Sequence, residues 1–263
     1  MQEELTPEEN DEIWTRTFRQ IRRNEKRRKV RRITYATAVI IAISVCVGLY
    51  QFRTAPTIYQ AGNIELADGT QVTLLKGATL QVDHSFPGET REVVLKGNAF
   101  FKVAKSAEHP FIVHGSGYET KVLGTVFKVS QSSKSFTVDL FEGKVLIYKT
   151  GRHKEPIALF PKQTFNNYGV PEAGAVTKTV EINAVKANEN LATLTFTKCP
   201  LRDAILVIEK TYGIRVLSPK ELENTKITIS LPEKTAAQFL QTLAIQLNLN
   251  IKQRNDSIFE LEK

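Results

Sequence analysis

Ile33 to Phe52 reads ITYATAVIIAISVCVGLYQF, a run of 20 residues with no charged side chain. As a helix rising about 1.5 Å per residue it would reach roughly 30 Å, the thickness of a bilayer's hydrocarbon core. A helix satisfies its own backbone groups, which lipid cannot do for it. Thr34, Thr37 and Ser44 can bond back to the preceding turn, and Gly48 is tolerable there. The run predicts a single transmembrane α-helix rather than the buried core helix of a soluble protein. Tyr35, Tyr50 and Phe52 lie where an aromatic belt would be.

The flanks predict the orientation. Arg22, Arg23, Lys26, Arg27, Arg28, Lys29, Arg31 and Arg32 precede the run; Arg53 follows it, and nothing basic comes again until Lys76. Cytoplasmic flanks carry the excess of Lys and Arg, so the N-terminus is expected inside and everything after Phe52 outside. Cleavage as a signal peptide is the competing reading. The apolar run exceeds a usual h-region, and QFRTA at its far end holds no small-x-small site.

Composition narrows the classes. About 210 residues follow the run, enough for one large or two small domains. The net charge is +8, but ten of the 36 basic residues lie between Arg16 and Arg32, where topology and anionic headgroups account for them. The rest are dispersed without a stripe, which argues against a nucleic-acid surface. Cys46 lies in the apolar run and Cys199 far downstream, so neither a disulfide framework nor a Cys-type zinc site is expected.

Residues 1–32 begin with Thr6-Pro7-Glu8-Glu9, a helix start with N-cap, N1 proline and capping-box glutamate. Ile13, Trp14, Phe18 and Ile21 follow at helical spacing and form an apolar stripe. A tail this short cannot bury its own stripe. It must lay it on headgroups or dock it on a cytoplasmic partner, and these four residues are the candidate partner-binding set.

After the short linker Thr54-Ala55-Pro56-Thr57 the period changes to two, from Ile58 to about Val170. Ala67-Asp68-Gly69-Thr70, Lys96-Gly97 and Glu142-Gly143 are turn signals. Phe136, Val138 and Leu140 alternate with Thr137 and Asp139, which leaves one apolar face. Strands every eight to twelve residues predict an all-β sandwich or roll over 58–170. The stretches LADGTQVTLLKGATL, REVVLKGNAFFKV, HPFIVHGSGYETKVLGTVFKV and TVDLFEGKVLIY resemble the successive strands of FecR-type anti-sigma regulators. Lys162 stands where that family usually places Gly after Pro, and Asn98 where it usually has an acid.

Residues 171–190 are polar and weakly patterned and read as a linker. Over 191–263 the pattern predicts a small α+β domain of order βαββαβ with a final strand, its helices on one face. Leu201, Ile205, Ile208 and Tyr212 mark the first helix; Thr235 with Gln238 caps the second, whose stripe is Ala236, Phe239, Leu240, Leu243 and Leu247. LTFTKCPLRDAILVIEKTYGIRV is similar to the C-terminal domain of Bacteroidetes FecR-type regulators, itself similar to secretin and TonB short N-terminal domains. That family often has Trp just before this strand; Leu191 and Ala192 stand there.

Enzymatic signals are sparse. There is no GxGxxG, P-loop or GxSxG motif. His109 and His114, with Pro110 between, would face opposite sides of a strand, so metal ligation is not expected. Asp68 and Glu142 precede glycines and read as turn formers. One step stands apart: some FecR-type regulators, the resemblance implies, cleave themselves at a Gly-Thr step, here Gly124-Thr125. The Thr125 hydroxyl would attack the Gly124 carbonyl in an N-to-O acyl shift that water resolves. The competing reading is a strand whose glycine makes a bulge. The expected class is therefore not an enzyme, with Gly124 and Thr125 the candidate exception, and no cofactor or metal is expected.

The resemblance implies an inner-membrane anti-sigma factor with a cytoplasmic tail and periplasmic domains. The tail, similar to the last helix of a usually longer anti-sigma domain, would bind an extracytoplasmic-function sigma factor. The outer domains would receive a signal from the signalling domain of a TonB-dependent outer-membrane transporter, without direct nucleic-acid contact. The alternative is a membrane-anchored periplasmic protein-binding module without sigma-factor regulation.

Overall fold

Strand alternation after residue 56 organises nearly everything that the computed structural model describes: residues 34, 35, 37–47, 56–178, 190–255 and 257–263, with 153–155 described for their backbone only. Residues 1–55 and 56–263 form two separate units. In the first, helix α1 covers residues 34, 35 and 37–47. Thr37 Oγ1 donates to the Thr34 carbonyl at 3.0 Å and Ser44 Oγ to that of Ile40 at 2.9 Å.

The expected transmembrane helix is corrected here. Among the described residues no helix is long and apolar enough to cross a membrane. An uncharged run permits a span and does not by itself require one. The candidate partner-binding residues Ile13, Trp14, Phe18 and Ile21 lie outside the described residues.

The second unit opens with β1 (Thr57–Glu65), β2 (Gln71–Val82), β3 (Arg91–Lys96), β4 (Ala99–Lys102), β5 (Phe111–Gly115) and β6 (Tyr118–Val122). It continues with β7 (Val126–Gln131), β8 (Phe136–Glu142), β9 (Val145–Lys149), β10 (Arg152–Leu159), β11 (Gln163–Asn166) and β12 (Ala173–Lys178). Then come β13 (Ala192–Pro200), α2 (Leu201–Tyr212), β14 (Arg215–Leu217), a 3-10 turn (Lys220–Leu222), β15 (Lys226–Lys234), α3 (Ala236–Leu247), β16 (Asn250–Asn255) and β17 (Ile258–Glu262). One sheet follows the path β10-β9-β6-β5-β3-β2-β4-β7-β8-β11-β12-β13-β15, with β1 also on β2. Only β3–β5 in that path is parallel.

Aromatic pairs tie the first core together, one between neighbouring strands and others across the core between strands that do not pair. Phe101 of β4 sits directly opposite Phe127 of β7, and their rings stack 5.0 Å apart. Tyr118 stacks on Phe136 at 4.9 Å, and Phe165 meets Tyr118 edge-on at 5.4 Å. Such pairs add about 0.5–1.5 kcal/mol each beyond the area they bury. Phe136, Val138 and Leu140 all face this core, as their alternation requires.

A second core lies under α2 and α3. Leu201, Ile205, Ile208 and Tyr212 of α2 are buried in it, and Phe196 of β13 meets Phe239 of α3 at 5.9 Å. Lys198 takes φ +52° at a register shift in β13, which returns Cys199 to the inside. Burial, then Asp203 and Glu172, push the Cys199 thiol up to about 12, so it behaves as a small hydrophobe. Thr235 and Gln238 form the capping box that starts α3.

The expected βαββαβ layer is also corrected. Its strands do not share a sheet: β13 and β15 extend the large sheet, while β14, β17 and β16 form a separate three-stranded one. Residue order sets which elements exist, but pairing is decided by which edges stand open, and β12 offers its edge to β13. β12 itself falls within the stretch read as a linker. Val176 faces the first core and Ala173 and Ala175 the second, so a strand of small residues is buried on both sides and shows no period.

At Lys162 and Asn98, two of the positions set against the family pattern above, the local geometry is plain. Phe160 to Gln163 is a turn closed by the Gln163 N–H on the Phe160 carbonyl at 3.1 Å, with Pro161 second and Lys162 third at φ +64°. A third residue in the left-handed region favours glycine. Lys162→Gly should therefore raise unfolding stability by about 0.5–1 kcal/mol, read as a higher urea midpoint at unchanged slope. A lower midpoint would show that Lys162 contributes more through its side chain than its backbone costs. Asn98 Oδ1 accepts the Gln131 N–H at 2.8 Å, so the amide fills the acceptor role an acid would have.

Candidate functional site

Gly124 and Thr125 stand in the bend between β6 and β7, not within a strand. Gly124 has φ +146°, and a Cβ added there would come 2.7 Å from the Lys105 Cα. The segment before β5 is pinned against this bend: Val103 N–H donates to the Thr125 carbonyl at 3.0 Å and Ser106 N–H to that of Leu123 at 2.8 Å. Thr125 is 3% exposed, and its hydroxyl donates to the Lys144 carbonyl at 3.1 Å. Gly143, from the opposite turn, makes room; a Cβ on it would lie 2.9 Å from Thr125 Oγ1.

A cleft of about 510 Å³ opens on this bend, lined in part by Lys105, Lys121 and Lys144. An acyl shift needs an acceptor for the Thr125 proton and a donor to the Thr125 amide nitrogen. Lysine ammonium groups donate, and no carboxylate or imidazole lines the cleft. The Lys144 ammonium sits 5.7 Å from the Phe160 ring centroid. The hydroxyl is thus held and oriented by a neutral carbonyl.

The other sequence candidates do not converge. His109 Nδ1 lies 3.2 Å from the Glu89 carbonyl, and His114 Nε2 lies 3.0 Å from Glu92 Oε2. The Thr90 hydroxyl and then His114 hold the Glu92 carboxyl below the usual range. Among the described residues no cluster of three or more His, Cys, Asp or Glu could hold a metal. A larger cleft, about 670 Å³, lies between β9–β10 and the face of β12–β13–β15. Its Lys149 ammonium donates to the Pro171 carbonyl at 2.9 Å and stands 3.8 Å from Glu172.

Sequence reading missed the most buried charge. Asp68 is a turn former, accepting the Thr70 N–H at 3.0 Å and hydroxyl at 2.7 Å, but it also pairs with Arg91 at 2.7 Å. The signal was present: Arg91 shares the inward side of β3 with Val93 and Leu95.

The FecR protein family model matches residues 52–146, and the FecR C-terminal model matches residues 193–260. Two crystal structures of a proposed anti-sigma factor from Parabacteroides distasonis ATCC 8503 are similar at 21% identity, with TM-scores of 0.39 and 0.38. Each alignment covers 79% of this chain and 99% of the other. No curated protein matches the chain. Two family models, met in order and together covering more than half of the residues, place this chain in the FecR protein family.

Proposed function

We propose that the chain couples a TonB-dependent outer-membrane transporter to an extracytoplasmic-function sigma factor. The observation that carries this reading is the succession of the two FecR models along one chain. In it, residues 1–32 face the cytoplasm of a membrane-held protein and capture the sigma factor through Ile13, Trp14, Phe18 and Ile21. Residues 56–263 face the periplasm and receive the transporter's signalling domain. The ten basic residues between Arg16 and Arg32 support that sidedness. In this reading the chain works by binding, and the Gly124–Thr125 peptide stays whole.

The test is a pull-down with residues 1–32. The wild-type peptide should retain a sigma factor, and Trp14→Ala with Phe18→Ala should weaken retention by at least about tenfold, since buried aromatic anchors dominate small interfaces. If neither peptide retains one, the chain is instead a membrane-anchored periplasmic binding module without sigma-factor regulation. Sidedness is read separately: protease added outside spheroplasts should digest residues 56–263 and spare an N-terminal tag.

A further inference from the structure

Val216 lies in the middle of β14, and β14 is one outer strand of the three-stranded sheet. The Arg215 N–H turns inward and donates to the Ser257 carbonyl at 2.7 Å. Successive amides alternate in direction, so the Val216 N–H points out of the sheet. It donates there to Glu209 Oε1 at 2.8 Å. Glu209 comes from the last turn of α2, where the helix dipole disfavours a carboxylate. A negative charge is thus kept in an adverse place, and it covers the one outward N–H at the centre of this edge.

Beside the edge runs a groove of about 600 Å³ between α2 and β14. Leu206 and Leu217 line it and are 40% and 38% exposed. Arg202, Arg215 and Lys220 surround them, against Glu209 and Glu223. A groove between a helix and an open strand edge is the geometry that accepts an extended peptide: main-chain bonds give affinity, and alternate side chains give specificity.

We propose that this groove takes an extended acidic segment of a partner protein as an added strand on β14, with Glu209 as the placeholder it displaces. The incoming carbonyl replaces Glu209 on the Val216 N–H. An apolar side chain of the segment covers Leu206 and Leu217, and its flanking carboxylates meet the three cations. Once Glu209 swings away, those cations are opposed by Glu223 and, at Arg202, by Asp203 at 3.5 Å. A second copy of this chain is a poor occupant, because pairing β14 with itself would set like cations against each other.

The proposal rests on residues 56–263 being the receiving part, but its test is independent of sigma-factor capture. Fluorescein-labelled Glu-Val-Glu-Leu-Glu and Lys-Val-Lys-Leu-Lys are titrated against the full chain in detergent micelles and followed by anisotropy. The acidic peptide should bind and the basic one should bind at least about tenfold more weakly. Leu206→Asp, at a half-exposed position, should weaken the acidic peptide by about tenfold. Glu209→Ala should tighten it by roughly fivefold, since no bond is given up on binding. A purely structural Glu209 could not produce that gain. Affinity unchanged by Leu206→Asp, affinity lowered by Glu209→Ala, or no binding of the acidic peptide at millimolar concentration would each overturn the proposal. Any of these can occur while residues 1–32 still retain a sigma factor.

Discussion

Replacing Asp68 with alanine should cost the 56–263 unit about 3–5 kcal/mol and lower its unfolding midpoint by on the order of 10 °C. Arg91 and Asp68 keep only 3% and 6% of their side chains exposed. The Arg91 Nη1 also donates to the Ala104 carbonyl at 3.0 Å, and Nε to that of His109 at 2.8 Å. Its guanidinium carbon stands 5.5 Å from the Phe111 ring centroid, while Nη2 is buried without a hydrogen-bond partner. Without Asp68 the guanidinium keeps its burial and loses its counter-charge. The loss spreads, because the Thr70 hydroxyl that Asp68 orients also accepts the Ala104 N–H at 3.1 Å. Adding Arg91→Met in an Asp68→Leu background should recover most of the stability, since replacing both charges removes the desolvation cost as well. Thermal and urea unfolding decide it: an Asp68→Ala cost below about 1 kcal/mol would mean that the pair contributes little.

That pair also marks how far residue patterns reach. The helices were legible because their stripes and caps are local: Leu201 to Tyr212 at helical spacing, Thr235 with Gln238, and Gly213 at φ +68° closing α2. The strands of β8 were legible for the same reason, with Phe136, Val138 and Leu140 on one side. Which strands would share a sheet was not, since β13 could pair within its own domain or across to β12, and alternation is identical in both cases. β12 was invisible because Ala173, Gly174 and Ala175 carry too little apolar surface to register as a strand. The expected span was overturned on other grounds: among the described residues no helix is long and apolar enough to cross a membrane. At the Gly124–Thr125 step the residue types were legible but their surroundings were not. Lys105 and Lys144 reach the bend from segments 19 residues away on either side.

Gly124→Ala should then destabilise the unit by about 3–5 kcal/mol, with or without any chemistry at the neighbouring peptide. At φ +146° an L side chain is strained whatever the space, and here the new Cβ would meet the Lys105 Cα at 2.7 Å. That contact cannot relax cheaply, because the Lys105 backbone is fixed on one side by Val103 N–H on the Thr125 carbonyl and on the other by Ser106 N–H on that of Leu123. The consequence for self-cleavage is direct. Loss of a fragment in Gly124→Ala would be loss of the fold, so the informative variant is Thr125→Val, which keeps the shape and removes the nucleophile. It deletes one hydrogen bond, to the Lys144 carbonyl, and should cost only about 1 kcal/mol. Wild type and Thr125→Val should both run as one full-length band after purification. A wild-type fragment beginning at Thr125 by N-terminal sequencing, absent from Thr125→Val, would show that a carbonyl-held hydroxyl is activated after all. Gly124→Ala tolerated within about 1 kcal/mol would show instead that the bend can move, and that its present geometry says little about its reactivity.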